Sequence, residues 1–97
     1  MNMSKQQNKK NKFIEFFLSI KDKKNYLLLF DLFLTPEERE DLERRFLIIQ
    51  ELIKGKKTQR QIAKDLNVSI AKITRGSNEL KRINPNLLRF LKERFSE

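Results

Sequence analysis

Between Tyr26 and Leu34 every residue except Asp31 is apolar, whereas the segments on either side mix apolar and charged positions at spacings of three and four. Those spacings are helical. Upstream, "NKFIEFFLSIKDKK" predicts an amphipathic helix through Phe13, Phe16, Phe17 and Ile20. Downstream, Thr35 suits an N-cap, Pro36 a first helical position and Glu38 a capping box. The helix they open carries Leu42, Phe46, Ile49 and Ile53 and stops at Gly55. Thr58 and Gln61 repeat the capping box for a short helix, Ser69 caps the next, and Asn84-Pro85 opens a last helix with Leu87, Leu88, Leu91 and Phe95. Strand-like alternation is absent, and two glycines and two prolines interrupt 97 residues. The pattern predicts an all-α chain of six helices. A helix as apolar all round as Tyr26–Leu34 must be covered all round, and a chain of this length has little to cover it with, so the pattern also predicts a second chain.

Charge locates the face that meets a partner. The formal net charge is +9, which points to a polyanion, most simply nucleic acid. It is unevenly placed: residues 54–82 hold nine bases against two acids, while residues 36–53 hold six acids against three bases. Residues 1–12, with Lys5, Lys9, Lys10 and Lys12 and no acid, read as a flexible basic N-terminal arm. Residues 13–97 read as a single helical domain. The absence of Cys and His removes disulfides, thiolate nucleophiles, imidazole bases and the usual zinc sets. It fits a reducing cytosol, and a cytoplasmic protein is expected. No apolar run is long enough to span a bilayer. The carboxylates fall mostly on solvated helix faces and no nucleophile has a partner, so an enzyme is not expected.

Within the basic stretch, "TQRQIAKDLNVSIAKITRG" has the spacing of a helix-turn-helix, at about residues 58–82. Ile62, Ala63 and Leu66 line the first helix, with Ala63 small enough for a close crossing. Asn67 tolerates a left-handed turn, Val68 plugs the corner, and Ile70 and Ile73 line the second helix. The positive end of that helix faces outward. The DNA-facing set is Gln59, Arg60, Lys64, Ser69, Ile70, Ala71, Lys72, Thr74 and Lys81. Arg60 can reach a guanine or only a phosphate; Lys56, Lys57 and Lys64 suit phosphates or solvent.

One position resists this scheme. Gly76 lies mid-helix, where glycine costs roughly 1 kcal/mol against alanine. At ~100° per residue, Ile70, Ile73, Ser77 and Leu80 form a core stripe. Gly76 then leaves a notch beside it, flanked by Lys72 and Glu79. The notch suits a closely packed neighbouring helix, which the spacing alone favours, or a flat ligand with charged groups at one end.

"LTPEERE", "RRFLIIQELIKGKKTQRQIA" and "IAKITRGSNELK" together resemble the tryptophan repressor family in order and spacing, over roughly residues 13–95. The resemblance implies an intertwined homodimer, whose shared core would cover the all-apolar helix. It implies L-tryptophan as corepressor and double-stranded operator DNA as partner, with genes of tryptophan biosynthesis or transport repressed. By position, Arg45 and Arg75 would sandwich the indole and Arg75 would pair with the ligand carboxylate. Gly76 would admit the ring, Thr35 would line the site, and the carbonyls of Leu32 and Leu34 of the other chain would receive the ammonium. No membrane partner is implied.

Three positions depart from the family pattern. Glu79 replaces a serine near the ammonium, where a carboxylate can hold the ammonium or capture Arg75. Ala63 replaces a lysine and Lys72 a threonine, both where operator contacts are made. The alternative reading is a helix-turn-helix dimer that binds DNA constitutively, with Glu79 and Arg75 closing the notch, or under another effector. Arg45 also has a local alternative, an ion pair with Asp41 one turn earlier. A single-strand binder is disfavoured by the lack of an aromatic platform near the basic stretch, and the first helix's Phe residues suit a dimer core better than a lipid surface.

Overall fold

The computed structural model describes residues 11–96, which form six α-helices and no strand. They are α1 (Lys12–Leu18), α2 (Lys23–Phe33), α3 (Pro36–Lys54), α4 (Gln59–Leu66), α5 (Ile70–Leu80) and α6 (Pro85–Phe95). The single domain expected over residues 13–97 divides after Pro36 into two compact units. The chain itself marks the division. Leu34 is extended (φ −115°, ψ 139°), and Pro36 has no backbone N–H with which to continue a helix. Of the basic arm expected over residues 1–12, Asn11 and Lys12 belong to the start of α1 and the rest lies outside the described residues.

In the first unit, the side chain of Asn11 accepts from the Ile14 N–H (3.1 Å) and that of Asp22 from the Lys24 N–H (3.0 Å), fixing the starts of α1 and α2. The first helix is shorter than the hydrophobic spacing suggests. The Ser19 hydroxyl donates to the Phe16 carbonyl at 2.6 Å, and Asp22 is already the cap of α2. Ile20 therefore falls in the connection, where its carbonyl accepts from the Tyr26 hydroxyl at 3.2 Å. Aromatic rings join the two helices: Phe13 meets Phe33 edge-on with centroids 5.8 Å apart, and Phe17 lies 5.0 Å from Tyr26. Yet neither helix buries a single residue. Leu27, Leu28 and Leu32 are 70%, 65% and 72% exposed, so the side chains that predicted a second chain are left uncovered by this one.

In the second unit the core is Ile48, Ile62, Ala63 and Ile73, with Leu52, Leu66 and Val68 packed against it. Ile62 and Ile73 are 1% and 0% exposed. The stripe expected on α3 is corrected: Ile48 and Leu52, one turn apart, face this core, while Leu42 and Phe46 are half exposed. Both faces of α3 are apolar, and the second receives α6, whose Phe95 ring meets Phe46 edge-on at 5.6 Å. On α5 the stripe also shifts, since Ile73 and Gly76 are buried and Ile70 is 47% exposed. Val68 packs against the core from the turn, as its position predicts. Gly55 (φ +67°) ends α3 in the left-handed conformation that glycine adopts without cost. Asn84 caps α6, accepting from the Asn86 N–H at 2.7 Å, with Pro85 at the first helical position. Among the described residues no helix is long and apolar enough to cross a membrane, and no cluster of acidic side chains is disposed to hold a metal ion.

Candidate ligand pocket and nucleic-acid interface

The helix-turn-helix is fixed by local hydrogen bonds. The Thr58 hydroxyl accepts from the Gln61 N–H (3.1 Å), and the Gln61 side chain accepts from the Thr58 N–H (2.9 Å). This reciprocal box satisfies donors that the first turn of α4 leaves orphaned. Asn67 adopts φ 55°, ψ 50°, the one non-glycine residue with positive φ among those described. Its turn lets the Val68 N–H donate to the Ala63 carbonyl at 3.0 Å. The Ser69 hydroxyl then accepts from the Lys72 N–H at 3.3 Å and opens α5.

On this frame Arg60, Lys64, Ser69, Ile70, Ala71, Lys72, Thr74 and Lys81 are exposed. Gln59 is half buried, and its side-chain oxygen accepts from the Thr74 hydroxyl at 3.3 Å, tying the start of α4 to α5. None of Arg60, Lys64, Lys72 and Lys81 is in an ion pair among the described residues. Lys57 is different. Its ammonium donates to the Asp65 carboxylate at 2.7 Å, and this hydrogen bond holds the lysine above its ordinary pKa of 10.5. It braces the loop before α4 rather than standing free for a phosphate.

The same helix, α5, also borders a concavity of about 230 Å3 between α3 and α5, with Lys72 common to both surfaces. Asp41, Arg44, Arg45 and Ile48 line it from α3, and Lys72, Arg75 and Gly76 from α5. Each set repeats at three and four residues, so each is one face of its helix. Both alternatives for Gly76 bear on this place. A Cβ there would lie 3.2 Å from Ile48 Cγ2 and 3.3 Å from Leu52 Cδ1. The missing side chain therefore lets α3 approach α5, and the concavity opens beside that contact.

The electrostatics of the walls are one-sided. Asp41 is engaged by Arg44 at 3.6 Å, not by Arg45. Glu79 pairs with Arg82, one turn on, rather than with Arg75, and does not line the concavity. Arg45 and Arg75 are exposed and in no ion pair among the described residues. Two planar cations thus border an apolar floor that Ile48 supplies. The volume is below the ~300–1,000 Å3 usual for small-molecule sites.

Of the residues expected at a ligand, the structure brings Arg45, Arg75 and Gly76 together and leaves Glu79 aside. Leu32, Leu34 and Thr35 belong to the first compact unit. There Leu32 is exposed and the Leu34 N–H closes α2 on the Phe30 carbonyl at 3.0 Å. The sequence reading missed Arg44 and Ile48 as lining residues. The run Asp41, Arg44, Arg45, Ile48 at helical spacing carried the signal, obscured because Leu42 and Phe46 were read as the inward face.

Comparison with known proteins agrees with this arrangement. The family model described as "Trp repressor protein" matches residues 8–95. A Trp operon repressor homolog of Chlamydia caviae is 50% identical over 80 residues, which is 82% of this chain and 79% of the relative. One of Chlamydia trachomatis serovar D is 51% identical over 65 residues, 67% of this chain and 69% of the relative. One of Vibrio campbellii is 48% identical over 68 residues, 70% of this chain and 68% of the relative. The helix-turn-helix with its capped reading helix, the arginine-walled concavity behind Gly76 and the match across nearly the whole length lead to one conclusion: this chain belongs to the Trp repressor family.

Proposed function

We propose that the chain is a cytoplasmic transcriptional repressor that acts as a homodimer and binds operator DNA when L-tryptophan is bound. The observation that carries this reading is the double duty of α5. One side presents Ser69, Ala71 and Thr74 outward, and another gives Arg75 and Gly76 to the concavity shared with α3. A ligand seated there pushes on the reading helix itself. The indole lies between the guanidinium planes of Arg45 and Arg75, which stack on aromatic faces better than ammonium groups do. The Arg75 guanidinium donates to the ligand carboxylate in a charge-assisted pair. The ammonium is received by the Leu32 and Leu34 carbonyls of the partner chain, with Thr35 nearby. Ligand binding favours the spacing at which both reading helices enter successive major grooves, a population shift set by differential affinity for the two arrangements.

The exposed leucines of α2 support the dimer. At about 25 cal/mol per Å2 of apolar surface buried, covering several such side chains stabilises an intertwined pair that one chain cannot match. Genes of tryptophan biosynthesis or transport are the natural targets of such a regulator, and its chemistry is binding, not catalysis. Glu79 is engaged by Arg82 rather than by Arg75, which supports an open notch over one closed in a constitutive binder. A mobility-shift titration on duplex DNA carrying the chain's own upstream region, with and without L-tryptophan, tests the reading. Binding enhanced by the ligand and lost in Arg75→Ala is expected. Equal affinity in both conditions overturns it.

A further inference from the structure

The second compact unit holds another concavity, of about 320 Å3. Ile53 and Lys54 at the end of α3, Lys56 beyond Gly55, and Lys92, Phe95 and Ser96 at the end of α6 line it. Its charged wall residues are all lysines, and none is in an ion pair among the described residues. Lys54 and Lys92 complement the carbonyl ends of their helices, but that interaction leaves their outward charge in place. Lys56 follows the end of α3 and has no such partner. It lies two residues before Thr58, the cap of α4, and its neighbour Lys57 is pinned to Asp65. The loop is therefore held, and through Lys56 the cleft adjoins the start of the helix-turn-helix while Lys92 carries it to the end of α6.

The floor says what kind of anion fits. Phe95 is 7% exposed and its ring is engaged edge-on by Phe46, so no aromatic face is offered for a base to stack on. Ammonium groups are compact point charges without the planar fork that reads a base edge or a carboxylate in two-point fashion. Charge without shape is the signature of backbone contact, which positions a protein on a duplex without reading sequence.

We propose that this lysine cleft binds the phosphate backbone of duplex DNA flanking the segment contacted by α4 and α5. The proposal rests on the DNA-binding reading above, and its test separates the two. Affinity of the full-length protein for a long random-sequence duplex is measured as a function of salt for the wild type, Lys54→Gln/Lys56→Gln/Lys92→Gln, Lys56→Gln alone, and Arg60→Ala/Lys64→Ala.

Each phosphate contact adds about 0.9 to the slope of log affinity against log salt. The triple variant is expected to be shallower by about 2.7 per protomer bound, so that between ~50 and ~200 mM salt the wild type loses about 40-fold more affinity than the variant for each protomer on the duplex. Lys56→Gln, which changes only a loop side chain, is expected to account for about 0.9 of it. An unchanged slope in the triple variant, with a shallower one in Arg60→Ala/Lys64→Ala, overturns the cleft and spares the helix-turn-helix. No change in any variant overturns both. A triple variant that loses affinity for poly-L-glutamate while keeping its DNA slope assigns the cleft to an acidic protein and overturns the proposal.

Discussion

Gly76 concentrates two opposing effects at one position. Alanine in its place gains roughly 1 kcal/mol of helix propensity. The added methyl must displace Ile48 Cγ2 at 3.2 Å and Leu52 Cδ1 at 3.3 Å, and overpacking of this kind costs about 1–3 kcal/mol. Ile48 is buried and β-branched, with little room to retreat, so overpacking wins. Gly76→Ala is expected to destabilise the fold by about 1 kcal/mol, as a lowered melting temperature, and to weaken binding of the proposed ligand by shifting the wall of the concavity. The glycine was legible in the sequence as an anomaly, but its meaning was not. Periodicity placed it beside a core stripe through Ile70 and Ile73, whereas Gly76 is itself buried with Ile73 and Ile70 is half exposed. The partners of Glu79 and Arg44 were equally illegible, since several oppositely charged residues stand within a turn of each and only side-chain geometry chooses among them.

At the level of elements, the caps were the most readable feature. Thr58–Gln61, Ser69, Asn67 and Asn84-Pro85 each act locally, so a few residues suffice to specify them. Helix faces were less readable wherever both sides are apolar, as on α3, and the end of α1 was misplaced because Ser19 and Asp22 stop it before the hydrophobic pattern does. The helix-turn-helix hangs on Ile62, which is buried against α3 and α5. Ile62→Ala is expected to cost about 2–5 kcal/mol, measured by denaturant unfolding. The Lys57–Asp65 bond gives the loop before α4 a pH dependence. Because the folded state raises the lysine above 10.5, the bond's contribution is fully present below that value and fades as pH rises through the higher folded one. A shallow alkaline decline in melting temperature, absent in Lys57→Gln, is the expected result.

Across the whole molecule, α2 leaves a run of large apolar side chains uncovered. The uncovered leucines of α2 were legible from composition, since a helix apolar on all sides has no stable existence in water without a cover. What covers them was not legible from pattern; resemblance supplied the homodimer. Leu28→Glu is expected to shift sedimentation toward monomer and to lower helical content, with a melting temperature that falls on dilution, as for any fold linked to association. A wild-type melting temperature independent of concentration, together with a monomeric mass, excludes the dimer.

The arginine-walled concavity on α5 is proposed to receive L-tryptophan, and the chain's lack of tryptophan makes that binding directly measurable. The ligand's own indole fluorescence can be followed during titration with protein, with Arg75→Ala as the comparison. Arg75 is exposed and in no ion pair among the described residues, so its loss is expected to change stability by no more than about 0.5 kcal/mol. The expected result is saturable binding by the wild type, abolished in the variant, with unchanged far-ultraviolet circular dichroism. Absence of binding at millimolar ligand, or equal binding by both proteins, contradicts it.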